Sequence, residues 1–252
     1  MPPTIYLNKN DDSSTLRWIH DIIYAMTLRE RAEEIFEWGM KYRESNFPDG
    51  NNSAWDNHSR GAAEVAEKIA EKCGMDADRA YTSGLLHDIG RSKGPHTGLN
   101  HIIDGYEILK SQDMPEEIAR ICMTHSFNPK RTIDTFELAD KEKELKIKEY
   151  VKSVDYDDYD RLIQLADYMS GAHGVSTIER RFCSVLRRHG FYGIEPREVL
   201  NGIYELKEYF DMKSGGDVYE LFHEKIATTP FQGLPGGGNV ISASSIKKGE
   251  NR

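Results

Sequence analysis

Apolar residues recur along this chain mostly at spacings of three and four residues, and strictly alternating apolar and polar residues are scarce. From about Ser14 to about Lys225 this spacing is typical of amphipathic helices. The sequence therefore predicts an all-α helical bundle, with a single domain over residues 14–228. The predicted helices cover Leu28–Arg43, Asp56–Lys72, Met75–Asp88, Gly98–Lys110, Pro115–His125, Lys141–Val154, Asp157–Gly171, Ser176–Arg188, Pro196–Lys213 and Asp217–Ile226.

The two ends of the chain lack this pattern. Residues 1–13 are expected to form a flexible N-terminus. Residues 229–252 contain a Pro-Gly-Gly-Gly run and few apolar residues, which predicts a flexible or extended tail.

Charge and composition narrow the range of partners. The formal net charge is -9, which disfavours general nucleic-acid binding because phosphate backbones attract clustered Lys and Arg. No apolar run approaches the length of a membrane span, so we expect a cytoplasmic protein without membrane contact. Three well separated cysteines suggest neither a disulfide framework nor a thiolate zinc site.

Three histidines fall on the apolar faces of predicted helices. His58 shares a helical row with Ala62, Val65 and Ile69. His101 is on the row of Gly105 and Ile108, where the glycine would allow another helix to come close, and His125 is on the row of Ile118, Ile121 and Cys122. Each of them alone is more typical of a hydrogen-bonded core histidine than of a metal ligand.

Two carboxylates also point inward. The pair His87-Asp88 ends the apolar segment AYTSGLLHDIGR, and Asp88 continues the row of Tyr81 and Gly84. Asp167 stands within LIQLADYM, a helix that is apolar nearly all round. An isolated buried carboxylate is costly, so a positive group is expected beside Asp167.

Either an Arg or Lys side chain or a metal ion could be that positive group. Four imidazoles and two carboxylates that point into one helical core together favour the metal, because neutral imidazoles cannot neutralise a carboxylate.

The order His58, then His87-Asp88, then Asp167 resembles the signature of the HD superfamily of metal-dependent phosphohydrolases, and GLLHDIG is similar to its most familiar form. The resemblance covers residues 56–171. It implies an HD-type helical bundle with a metal site in the core. In the two-metal branches it also implies that His58, His87, Asp88 and Asp167 hold one ion, that His101 and His125 hold a second, and that Asp88 lies between them.

A ligand set of nitrogen and carboxylate oxygen suits one or two divalent transition-metal ions, such as Mn, Fe, Co, Ni or Zn, better than calcium. The resemblance implies that a metal-activated hydroxide cleaves a small phosphate ester, with a nucleotide monoester or diester as the expected substrate.

Further residues are candidates for substrate contact. The candidate catalytic residues are Asp88, Arg91, which follows His-Asp-Ile-Gly directly, and His96, which could protonate a leaving group. Arg91 and His96 could instead be solvated residues of a surface loop. The candidate phosphate-binding residues are Arg60, Arg91, Lys93, Lys130 and Arg131.

Several alternatives stay open. Ser126-Phe127-Asn128-Pro129 stands where the cyclic-dinucleotide phosphodiesterase branch carries further ligands, which disfavours that activity. A diiron HD-type oxygenase of a small polyol or phosphonate would use the same ligands, and a non-catalytic HD domain would bind only metal or ligand. A cysteine hydrolase built on Cys122 and His125 is a weaker fourth hypothesis.

Overall fold

The computed structural model describes residues 26–48, 50, 52–94, 99–128, 130–190 and 195–228, without the side chains of Lys130, Arg131 and His189. Within these residues the α-helices are α1 (Leu28–Asn46), α2 (Asn52–Lys72), α3 (Ala77–Leu86), α4 (His101–Ser111), α5 (Glu116–Thr124), α6 (Lys141–Ser153), α7 (Asp158–Tyr168), α8 (Ile178–His189), α9 (Pro196–Ser214) and α10 (His223–Thr228). Short 3-10 helices cover Ile89–Lys93, Lys130–Thr135 and Val218–Phe222. The predicted tails, residues 1–13 and 229–252, lie outside the described residues.

The all-α prediction is confirmed, with one small addition of strand. The predicted end of the seventh helix at Gly171 is wrong, because α7 ends at Tyr168 and the chain continues into a hairpin. Strands β1 (Ser170–Gly171) and β2 (Gly174–Val175) pair antiparallel, with Ser170 opposite Val175. Gly174 has a φ of 92°, a left-handed conformation that glycine adopts without strain, and this permits the tight turn.

Helix starts follow the capping chemistry of the sequence. Thr27 accepts a hydrogen bond from the Glu30 backbone amide, and the Glu30 side chain accepts in return from the Thr27 amide. Asp157 and Asp160 form the same reciprocal pair at the start of α7. Each capping box satisfies two backbone donors that a helix start leaves unpaired, so the α7 cap fixes the helix that carries Asp167.

Three apolar clusters form the core. The first joins α2, α7, α8 and α9 through side chains such as Ile69, Leu165 and Phe210. The second joins α1, α3, α4 and α5, and includes Phe36 and Leu85. The third joins α4, α5 and α6 and includes Ile102, Met123, Phe127, Ile147 and Val151. The helices that these clusters hold together, α2, α3, α4, α5 and α7, are those that carry the histidines and aspartates predicted to bind metal.

In the part of the chain that the structure covers, no helix has both the length and the apolar character needed to span a bilayer.

Candidate metal centre

Two of the predicted ligands stand at helix ends, and the backbone orients both. His87 follows the last residue of α3, and His125 follows the last residue of α5. The His87 Nδ1 atom lies 2.7 Å from the Gly84 carbonyl oxygen, and the His125 Nδ1 atom lies 3.1 Å from that of Ile121. Because a carbonyl oxygen can only accept, Nδ1 carries the proton in both rings, and Nε2 keeps its lone pair for another group.

Two further histidines come from the bodies of neighbouring helices. His58 lies in the second turn of α2, and its Nε2 atom is 3.2 Å from the His87 Nε2 atom. His101 opens α4, and its ring centroid is 5.6 Å from that of His125. All four imidazoles are buried, and the apolar helix rows had predicted this for His58, His101 and His125.

Asp88 lies between the two pairs of histidines. Its Oδ1 atom is 3.0 Å from His101 Nε2 and 3.7 Å from His125 Nε2. Its Oδ2 atom is 3.7 Å from the Nε2 atoms of both His58 and His87. Two sets of three candidate ligand atoms result, and within each set the atoms lie within 4.8 Å of one another. Asp88 belongs to both sets.

Asp167 reaches the same place from α7. Its Oδ1 atom lies 3.1 Å from His58 Nε2, on the side of the first set. The six side chains predicted from the sequence therefore converge, although they come from five helices.

A close approach of two backbones makes this convergence possible. A Cβ atom on Gly90 would lie 2.0 Å from the His101 carbonyl oxygen and 2.6 Å from the Gly105 amide nitrogen. Only glycine allows the 3-10 helix that follows Asp88 to pack so closely on the start of α4. A Cβ atom on Gly105 would lie 3.0 Å from the Cys122 sulfur, which agrees with the predicted close helix contact there.

Burial keeps the imidazoles neutral. Burial, together with the nearby Arg181, lowers the pKa of His58 to about 4. Burial and the nearby Arg91 lower the pKa of His101 to about 3, and burial also lowers the pKa of His125. A neutral imidazole can offer a lone pair to a metal ion, whereas an imidazolium cannot.

The two carboxylates are held ionised. Burial alone would raise the pKa of Asp88, but Arg91 and His101 hold it well below the ordinary value. In the same way, Arg181 and His58 outweigh burial and hold the pKa of Asp167 well below its ordinary value. The centre therefore offers neutral nitrogen and charged oxygen ligands at neutral pH.

Two arginines contact these carboxylates. Arg91 donates from Nε to Asp88 Oδ2. Arg181, on α8, donates from Nη2 to Asp167 Oδ1 at 3.0 Å, and the same Nη2 atom lies 3.5 Å from His58 Nε2. The sequence reasoning expected a positive group beside Asp167 but did not identify Arg181. The available signal was an arginine one helix after Asp167, on the apolar face that also carries Ile178 and Phe182.

Other predicted phosphate ligands lie elsewhere. The Arg60 guanidinium pairs with Asp56 at 2.8 Å and with Glu33 and Glu37 of α1, so the structure does not bring it to the centre. Lys93 lies 3.6 Å from Asp104.

Three remaining candidates cannot be placed. His96 lies outside the described residues, and so do the side chains of Lys130 and Arg131. Their predicted roles stay predictions.

The cysteine hydrolase hypothesis finds no support in the geometry. The Cys122 thiol is buried and donates to the Leu86 carbonyl oxygen at 3.5 Å. Burial raises the pKa of this thiol, which is the opposite of what an activated nucleophile requires.

The donor atoms suit a transition-metal ion. Lone pairs of His87 and His125 and the oxygens of Asp88 are all acceptors, and they face one another in a buried space. Such a set is stable only with positive charge between its members. Mixed imidazole and carboxylate ligands favour Mn, Fe, Co, Ni or Zn over calcium.

Comparison with known proteins places these ligands within a matched family region. Residues 55–172 match the family model described as "HD domain". An uncharacterized protein of Methanocaldococcus jannaschii, MJ1154, is 26% identical over 182 residues, which is 71% of this chain and 37% of that protein.

Ribonucleases Y match over a shorter stretch. That of Thermosipho melanesiensis is 36% identical over 69 residues, which is 27% of this chain and 14% of the relative. That of Aquifex aeolicus is 34% identical over 68 residues, which is 27% of this chain and 12% of the relative. The alignments thus span little more than a third of the first relative and about a seventh or less of the others. No solved structure matches the chain significantly.

Proposed function

We propose, from the premise that residues 55–172 of this chain are an HD domain, that the protein is a metal-dependent phosphohydrolase of a small phosphate ester. HD domains are typically metal-dependent hydrolases. The observation that carries the proposal is the position of Asp88, which offers one oxygen to each of two buried histidine pairs.

The residues present fit a divalent metal. His58, His87 and Asp88 would hold one ion, with Asp167 beside His58. Asp88, His101 and His125 would hold a second. Bound ions of this kind lower the pKa of a coordinated water and share the negative charge that develops on phosphoryl oxygens.

The protein's own side chains prepare this chemistry. The Nδ1 atoms of His87 and His125 face backbone carbonyl oxygens, which orients the two rings with Nε2 toward the centre. Burial keeps the other two imidazoles neutral. Arg91 is more than one third exposed and reaches Asp88, so it can contact both the centre and an entering anion.

We propose a nucleotide or similar small ester as the substrate, rather than a polymer. The ribonucleases Y are named for action on RNA, and their match covers 27% of this chain. The net charge of -9 disfavours a long polyanion, whose binding depends on an extended basic surface. A small ester needs only local positive charge.

Metal analysis of protein purified without chelator, followed by phosphate-release assays, tests the proposal. We expect bound transition metal, loss of activity after chelation, and recovery with one or more of Mn, Co, Ni, Zn or Fe. The assays cover nucleoside monophosphates, diphosphates and triphosphates and a dinucleotide, each with every metal.

A matched pair of variants distinguishes loss of a metal ligand from the general effect of replacing a histidine. His58→Gln should lose metal and activity, whereas His223→Gln, which changes an exposed histidine at the start of α10, should keep both. Iron-dependent consumption of oxygen without phosphate release would contradict the proposal and favour the oxygenase. Bound metal without turnover on any ester would favour a non-catalytic domain.

A further inference from the structure

We infer that Arg181 is a phosphate-binding residue of this site, that it acts together with Arg91, and that the substrate is a phosphate monoester. The inference rests on the proposed function, and it names the substrate class of the same centre. It also places part of the substrate site beyond the HD domain, because Arg181 follows residue 172 and belongs to α8.

Arg181 lies directly beside two of the candidate metal ligands. Its side chain is 13% exposed, and its Nη2 atom reaches both Asp167 Oδ1 and His58 Nε2. A guanidinium group is always charged and has five donors in a plane. Among the described residues the Nε donor of Arg181 is buried without a hydrogen-bond partner. A buried donor left unpaired beside the centre points to an acceptor that binds there.

Arg91 supplies a second guanidinium group at the same point. It contacts Asp88 Oδ2, which lies 3.7 Å from His58 Nε2, and Arg181 contacts Asp167 Oδ1, which lies 3.1 Å from that same nitrogen. The two arginines thus contact carboxylate oxygens that both lie within 3.7 Å of His58 Nε2. Arg91 lies within the residues that match the HD family model, and Arg181 lies after them. The backbone of Arg91 is itself fixed, because Arg43 donates to its carbonyl oxygen.

The local charge favours an anion. Arg188, which lies two turns along α8 from Arg181, has its pKa lowered by burial and by the charges of Arg181 and Arg91. Three guanidinium groups therefore repel one another near two carboxylates. Those carboxylates are also the metal ligands proposed above, so metal binding would leave the arginines without enough negative charge. An entering phosphate would supply it.

The number of acceptors distinguishes a monoester from a diester. A phosphodiester has two free oxygens and one negative charge, whereas a monoester has three free oxygens and nearly two charges at neutral pH. A metal centre would contact at least one free oxygen, and each arginine binds best to one or two more. The monoester therefore offers a separate free oxygen to each of the three contacts, and its greater negative charge balances the guanidinium groups better.

Titration of the metal-loaded protein with inorganic phosphate tests the role of Arg181, with Arg181→Gln as the variant. We expect the dissociation constant for phosphate to rise about 10- to 100-fold, as for loss of a charge-assisted hydrogen bond. Metal content, measured by elemental analysis, should stay at the parent level. Arg187→Gln removes the same charge from an exposed position on the same helix and should change phosphate binding less than about 2-fold.

Arg181→Lys guards against misfolding, because it keeps the charge but loses the planar fork. We expect it to fold like the parent and to bind phosphate with intermediate affinity. If Arg181→Gln and Arg181→Lys bind phosphate like the parent, or if Arg181→Gln loses metal in proportion to phosphate, then Arg181 only neutralises Asp167 and the inference is overturned.

The substrate class has its own measurement. The parent should hydrolyse 4-nitrophenyl phosphate with a kcat/KM at least about 10-fold above that for bis(4-nitrophenyl) phosphate, and Arg181→Gln should reduce this ratio mainly through KM for the monoester. A preference for the diester would overturn the monoester assignment. If neither ester is cleaved, the proposed function fails, while phosphate titration still decides the role of Arg181.

Discussion

The Nε2 atoms of His58 and His87 lie 3.2 Å apart, although the two rings come from different helices and meet edge to face. Because His87 already donates through Nδ1 to the Gly84 carbonyl oxygen, its Nε2 atom can only accept. A proton on His58 Nε2 can be donated to His87 or to Asp167 Oδ1, which lies 3.1 Å away, whereas a bound cation would be shared by both rings. In a centre that also holds two carboxylates, the shared cation explains why both rings point to the same place.

Replacing His58 by Gln should weaken metal binding by about 10- to 100-fold or more, because one nitrogen ligand is lost while the packing volume is nearly kept. Calorimetric titration of chelator-treated protein with Mn or Zn measures this. His223→Gln provides the control, since that exposed residue begins α10. Equal affinities for the two variants would remove His58 from the centre.

The metal-free protein should lose stability as the pH falls from about 6.5 to about 4. In this range the unfolded chain protonates a histidine of ordinary pKa, whereas folded His58, with its pKa lowered to about 4, does not. The unfolded state then binds more protons than the folded state, so the free energy of unfolding decreases as the pH is lowered. His58 alone contributes a decrease on the order of 3 kcal/mol.

Urea denaturation of chelator-treated protein between pH 7 and pH 4 measures this dependence. His58→Gln should show a shallower slope than the parent, and His223→Gln the parent's slope. If stability depended on pH equally in His58→Gln and in the parent, protonation of His58 would not be the cause of the pH dependence.

Gly90→Ala should destabilise the fold by at least about 2 kcal/mol, because the new methyl group would overlap the His101 carbonyl oxygen. The displacement would separate Asp88 from His101 and lower metal affinity as well. Thermal unfolding and metal titration check both effects. In the control Gly216→Ala no heavy atom lies within 4 Å of the added carbon, so a similar loss there would refute the steric explanation.

Arg43→Gln should lower both stability and turnover, although among the described residues Arg43 contacts Arg91 and none of the six predicted metal ligands. Its guanidinium donates to the carbonyl oxygens of Arg91 and Gly94 and to the Asn52 side chain, so it holds the 3-10 helix after Asp88 in place. Loss of these buried hydrogen bonds should lower the free energy of unfolding by about 1–3 kcal/mol.

The kinetic signature of Arg43→Gln should be a fall in kcat with bound metal retained at saturating metal concentration. Arg29→Gln is a suitable comparison, because Arg29 pairs with Glu67 and Asp78 away from the centre. A change in stability alone, with kcat at the parent level, would show that Arg43 does not position Arg91.

The sequence predicted the inward histidines and aspartates because helix periodicity alone decides which residues share a face. His58, His101 and Asp88 are buried as their rows required. The same rule carried no information about partners in distant segments. Arg60 was assigned to phosphate for its nearness in sequence to His58, yet it faces the acidic residues of α1.

Arg181 was not predicted, because the sequence pattern does not show which distant helix packs beside Asp167. Its contact with Asp167 depends on how α8 folds back after the hairpin at residues 170–175, and two-residue strands leave almost no periodic signal. The local turn at Gly174 determines that path. Only the assembled tertiary structure shows which arginine accompanies which carboxylate.

The converging side chains have a consequence for how the chain resists unravelling. They come from positions as far apart as 58 and 167, so an ion bound by them would link distant segments of the chain as a covalent cross-link does. Chelation would then lower the stability of the central segment and make it more accessible to proteases. Occupancy by metal would in this way govern how long the protein survives as well as whether it reacts.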